Sequence, residues 1–88
     1  MRKTRVLIVE DETIISLDVQ SILVGLGYEV AGTAATGEAA IEKALSLDPD
    51  IILMDILLAG KMDGIEAARA IRRNRDIPII YLTANADR

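Results

Sequence analysis

The chain has 88 residues, 51% of them apolar, yet it contains no Phe, Trp, Cys or His and only two Tyr. That length permits one small domain, its apolar content excludes a disordered chain, and its core has to be built from Ile, Leu, Val and Ala. A formal net charge of −4 argues against a nucleic-acid-binding surface, while the missing cysteine and histidine exclude disulfides, thiolate or imidazole metal ligands, histidine acid–base catalysis and any phosphohistidine on the chain itself.

The first predicted element is a strand over RVLIV, residues 5 to 9. Its apolar run is far too short for a signal peptide or a membrane span, so a cytoplasmic protein is expected. A helix follows over residues 13 to 26, where Ile15, Val19, Ile22, Leu23 and Leu26 fall on one face and Gly25 and Gly27 supply the stop. YEVAGTA, residues 28 to 34, alternates and reads as an edge strand. The second helix runs from about Gly37 to Leu47, with Thr36 as its N-cap and Pro49 beyond its end. DIILMD, residues 50 to 55, is an unbroken apolar strand ending in an acid. A third helix follows Asp63, with Glu66 completing a capping box and Ile65, Ala68 and Ile71 as the apolar stripe. Asp63 and Gly64 are thereby assigned to turn and capping chemistry. PIIYLT, residues 78 to 83, is the last strand, and Arg69, Arg72, Arg73 and Arg75 before it read as a solvated helix face.

Strands alternating with helices specify βαβ units, hence an α/β fold with a parallel sheet and helices on both faces. Parallel strands present their C-terminal ends on one side, where open α/β sheets bind ligands at the reversal of strand order. Glu10 and Asp11 follow the first strand, Asp55 ends the third and Thr83 ends the fourth. If the first and third strands are neighbours, Asp11 and Asp55 face each other across one crevice. Carboxylates a few ångströms apart repel unless a cation sits among them, and an oxygen-only set with open positions suits Mg²⁺. Asp55 then has a second role open to it, attack on phosphorus to form an acyl phosphate, with Thr83 donating its hydroxyl to a phosphoryl oxygen. The plainer reading of Asp11 and Glu12 is charge at the positive end of the first helix, worth about 0.3 to 1 kcal/mol.

In order and spacing, VEDE, LMDILLAGKMDG and IPIIYLTA resemble the receiver domain of two-component response regulators, over essentially the whole chain. The resemblance implies a flavodoxin-like doubly wound parallel sheet of order 2-1-3-4, residues 1 to 88 forming a receiver domain incomplete at its C-terminus. It implies that Asp55 accepts a phosphoryl group from a phosphohistidine on a partner sensor histidine kinase. It further implies Mg²⁺ held by Glu10, Asp11, Asp55 and the Leu57 backbone carbonyl, with Thr83 and the Ala84 amide holding the phosphoryl group. The expected output is a switched protein-interaction surface read by a downstream effector domain or protein, with neither nucleic acid nor membrane bound by this segment. No turnover of a separate substrate is expected.

Family members continue with a fourth helix, a fifth strand ending in a phosphate-pairing lysine, and a fifth helix, which this sequence lacks; Lys61 falls in the wrong loop to replace that lysine. PIIYLT should then be an exposed apolar edge and the first helix should lack a packing neighbour. The remainder is expected beyond Arg88 or from a second chain, as a dimer or swapped assembly. Two competing readings are a degenerate receiver used only for protein contacts and a haloacid-dehalogenase-like phosphatase. The phosphatase reading is weakened because that family wants a second aspartate where Leu57 stands.

Overall fold

A computed structural model of the chain describes residues 2–82. The elements run β1 (Arg5–Val9), α1 (Thr13–Gly25), β2 (Glu29–Ala34), α2 (Gly37–Leu47), β3 (Ile51–Asp55), α3 (Gly64–Asn74) and β4 (Ile79–Leu82). The four strands form one parallel sheet of order β2-β1-β3-β4. This is the expected α/β topology, with β2 as an edge. The strand order reverses between β1 and β3, which are paired along Val6↔Ile51 to Val9↔Met54.

Local chemistry sets most boundaries. The Thr36 hydroxyl accepts the Ala39 amide at 3.1 Å and caps α2. At α3 the box is complete, since Asp63 Oδ1 accepts the Glu66 amide at 2.8 Å and Glu66 Oε1 accepts the Asp63 amide at 2.9 Å. Helix α1 ends where Gly27 takes a φ of +95°, a left-handed conformation that side chains disfavour. At the opposite end of the sheet, Asp50 ties β3 to the start of the chain. Its carboxylate accepts both guanidinium nitrogens of Arg2, at 2.7 and 3.1 Å, and the Arg5 amide at 2.7 Å. These partners, Arg2 first, hold the Asp50 carboxyl below its ordinary range.

The main core lies on one face of the sheet, where Leu7, Val9, Ile52 and Met54 pack under Ala40 and Ala44 of α2 and Ala67 and Ile71 of α3. Alanines at the helix contacts let the helices sit close to the sheet without aromatic bulk. By alternation, Val6 and Ile8 point to the other face, and both are buried. Here α1 packs on β1 and β2.

Two expected stripes differ from the structure. Of the α1 residues assigned to one apolar face, Ile15, Val19 and Leu23 are half-buried, but Ile22 is 61% and Leu26 69% exposed, and the buried residue is Ser16. Among the described residues, no element covers the flank of α1 that carries Ile22, so spacing alone overstated its burial. On α3, Ile65 is exposed and Ala67 lies in the core instead, because the helix turns Gly64, Ala67, Ala68 and Ile71 toward the sheet. Strand β4 is an edge of the described sheet, with Ile80 half exposed, as its apolar sequence without a further partner leads one to expect.

Truncation in these two environments should separate sharply. Ile71→Ala is expected to cost about 2–5 kcal/mol in urea denaturation, the range for buried aliphatic truncation. Ile22→Ala should fall within about 0.5 kcal/mol of wild type, as for surface sites. Equal losses would show that the α1 flank is covered in solution.

Candidate functional site

The site is assembled by the register of β1 and β3. Because Val9 pairs with Met54, the residues that follow, Glu10 and Asp55, come level at the C-terminal edge of the sheet. Glu10, Asp11 and Asp55 each place a carboxylate oxygen within 4.8 Å of the others, and they form a group that could hold a metal ion. Their exposures differ. Glu10 is buried, Asp55 is half-buried and Asp11 is exposed.

Glu10 is anchored at both ends. Its amide donates to the Ala34 carbonyl at 2.9 Å, which extends the β1–β2 ladder by one rung, and its Oε2 accepts the Glu12 amide at 3.0 Å. That second bond places Glu12 at the N-cap of α1, where its own side chain makes no capping bond. Burial pushes the Glu10 carboxyl up to about 7; the Asp55 charge and close contacts with Asp55 and Asp11 add to the rise, opposed by the Glu12 amide. A proton kept on Glu10 is the expected response to like charge in a poorly solvated place.

Asp55 Oδ1 accepts the Leu57 amide at 3.2 Å, which folds the chain sharply after β3. The Leu57 side chain is 74% exposed. The loop that follows is tied to α2 through a bridge between Thr36 and Ala59, and it enters α3 through the capping box. A crevice of about 460 Å³ opens beside the acids, bounded by Glu10 and Asp11, by Ser16 and Gln20 of α1, and by Lys43 of α2. The Lys43 ammonium donates to the Thr33 carbonyl. Sequence reading did not bring these crevice residues together, since their contacts arise across the β2 edge and no local spacing encodes them.

The sequence-predicted residues thus divide. Glu10, Asp11 and Asp55 meet, with Leu57 adjoining them, whereas Thr83 and Ala84 lie outside the described residues. Lys61 is exposed in the loop between β3 and α3.

Residues 6–88 match the response regulator receiver domain. The chain belongs to this family. Among curated relatives, the receiver chain is 43% identical over 84 residues to the transcriptional regulatory protein PdtaR of Mycobacterium tuberculosis, covering 96% of this chain and 40% of that protein. Among solved structures, it is similar to the signal receiver domain of a modulated diguanylate cyclase from Desulfovibrio desulfuricans, with a TM-score of 0.88, 40% identity, and 96% and 67% of the two chains covered. It also matches Bartonella quintana PhyR, crystallised in complex with the anti-sigma factor NepR, with a TM-score of 0.83, 38% identity, and 90% and 33% covered. The receiver chain therefore spans less than half the length of PdtaR. Among its described residues, no helix is long and apolar enough to cross a membrane.

The three acids fit the Mg²⁺ typical of receivers, because a buried carboxyl that keeps a proton near neutrality is a group a hard divalent cation would deprotonate. The sign of the pH effect follows from the raised value. Folded Glu10 holds its proton to about pH 7, whereas an unfolded glutamate releases it near its ordinary 4.5. Metal-free stability should therefore be highest below the unfolded value, fall as pH rises between the two, and level off above about 7. Glu10→Gln should flatten this slope in urea denaturation followed from pH 4 to 8. Mg²⁺ affinity of the wild type should rise with pH across neutrality; affinity falling with pH would contradict the assignment.

Proposed function

We propose that this receiver domain is a phosphoacceptor, taking a phosphoryl group from a phosphohistidine on a sensor histidine kinase onto Asp55 in a Mg²⁺-dependent step. The observation that carries this reading is the convergence of Glu10, Asp11 and Asp55 at the edge where β1 and β3 separate. An Asp55 carboxylate oxygen attacks phosphorus, a phosphorus–oxygen bond forms, the phosphorus–nitrogen bond of the donor breaks, and its electron pair returns to the donor imidazole. Bound Mg²⁺ supplies charge neutralisation for the phosphoryl oxygens and for the carboxylates that would otherwise repel them.

The chain's own groups would divide the work. Asp11, exposed, and Asp55 would take direct positions on the cation, joined by the Leu57 carbonyl, and buried Glu10 would act beside Asp11 once it has released its proton. The Leu57 amide at Asp55 Oδ1 orients the carboxylate so that it does not swing freely. By their match to the family pattern, Thr83 would donate its hydroxyl and Ala84 its amide to the phosphoryl oxygens. The modification adds about −1.5 to −2 charges, enough to bias a two-state surface toward an effector domain or protein. The domain would act as a signalling switch, with no separate substrate turned over. The PhyR–NepR complex supports an output through protein contact.

Incubation with acetyl phosphate and Mg²⁺ should add one phosphoryl group, detectable by intact mass. Asp55→Asn or chelation should abolish it. No modification of a chain extended well past Arg88 would favour a receiver that serves only as a contact module. Because Leu57 offers no hydrogen-bonding side chain to a hydrolytic water, Leu57→Asn should shorten the phosphoryl lifetime in that longer chain. A wild-type lifetime shorter than the variant's would defeat this expectation.

A further inference from the structure

We infer that Gly64, the first residue of α3, is a positioning residue for Asp55, holding the phosphoacceptor in the geometry that receives the cation. The inference rests on the reading of Glu10, Asp11 and Asp55 as a Mg²⁺ site. It adds a residue that lies nine positions from Asp55 in sequence and on a different element.

The glycine is required for space. A Cβ built at Gly64 would stand 2.1 Å from the Asp55 carbonyl oxygen and 2.9 Å from both the Asp55 carbonyl carbon and the Ile56 Cα. All three neighbours are backbone atoms, so none yields by a rotamer change. Conformation does not demand glycine here, because the described glycines with positive φ are Gly27 and Gly60. In the same seat, the Gly64 amide donates to the Ile56 carbonyl at 2.7 Å. Glycine favours helix formation less than alanine does, so its place at the helix start is explained by this approach. The start of α3 is therefore docked directly against the two peptide units that follow Asp55.

The two sides of this contact differ in how firmly they are held. Helix α3 is anchored by buried Ala67, Ala68 and Ile71 and by the Asp63–Glu66 capping box. The segment from Asp55 to Leu57 is partly exposed, and its side-chain tie is the 3.2 Å bond from the Leu57 amide to Asp55 Oδ1. A side chain at position 64 would thus displace the Asp55–Leu57 peptide units more than the helix. That displacement reaches the site twice, through the direction of the Asp55 carboxylate and through the Leu57 backbone.

The test compares Mg²⁺ affinities of the full chain by NMR titration of backbone amides. Gly64→Ala is expected to weaken Mg²⁺ binding by about tenfold or more, the scale for losing a group that orients a metal ligand. Ile71→Val, which removes a core methylene at a site remote from the acids, should lower the thermal midpoint yet leave the affinity unchanged. A folded Gly64→Ala chain with wild-type Mg²⁺ affinity would overturn the inference, as would an equal affinity loss in Ile71→Val. Should Gly64→Ala not fold, the wild type decides. Mg²⁺ should then slow hydrogen exchange of the Gly64 amide with the same midpoint as that of Leu57, and a Gly64 amide that is silent while Leu57 responds counts against the role. Wild-type chain that binds no Mg²⁺ at all would overturn the site reading itself, and this inference with it.

Discussion

The parallel pairing of β1 with β3 is the constraint on which the rest of the site depends. Leu7 and Val9 of β1 and Ile52 and Met54 of β3 are buried on one face of the sheet, so the register is held by packing against α2 and α3. Once Val9 is level with Met54, the next residues have no choice of neighbour, and Glu10 and Asp55 are driven together at the sheet edge. Hydrophobic burial thereby supplies the force that overcomes carboxylate repulsion. The cost appears as the raised affinity of Glu10 for a proton, an acid kept half-neutral until something more positive takes its place.

The surroundings of the acids hold them against that repulsion. Glu10 is pinned through the Ala34 carbonyl and the Glu12 amide, and Asp55 through the Leu57 amide and the bare Cα of Gly64. The loop between β3 and α3 is tied at one side to α2 and at the other to α3, so Asp55 sits in a frame made by three elements. Asp11, by contrast, is exposed and free to meet a hydrated ion. A buried, hydrogen-bonded acid beside an exposed one is a suitable arrangement for a cation that keeps part of its water.

The two faces of the sheet are finished to different degrees. Beneath α2 and α3 the core is closed, with Leu7, Val9, Ile52 and Met54 fully covered. On the face of α1, Val6 and Ile8 are buried but Ile22, Leu26 and Ile80 stand open among the described residues. The site lies at the C-terminal edge above both faces. Its acids are therefore supported by the finished layer, while the open one leaves apolar area adjoining the strand, β4, whose Leu82 pairs with Asp55.

Much of this was legible in the chain because the signals were local. Thr36, the Asp63–Glu66 box and Gly27 mark helix ends through bonds or angles made within a few residues, and unbroken runs mark the strands, though only VLIV is covered on both faces while Ile51 and Leu53 of IILM stay half-buried. The acidic pair and the lone aspartate were visible as charges at strand ends, and a family resemblance gave them roles. Tertiary structure alone decided which apolar residues are covered, Ala67 and not Ile65, because burial depends on the neighbouring layer as well as on spacing. It also decided the proton on Glu10 and the need for glycine at position 64. Both are set by atoms distant in sequence, where desolvation and steric exclusion act through space and leave no local pattern to read.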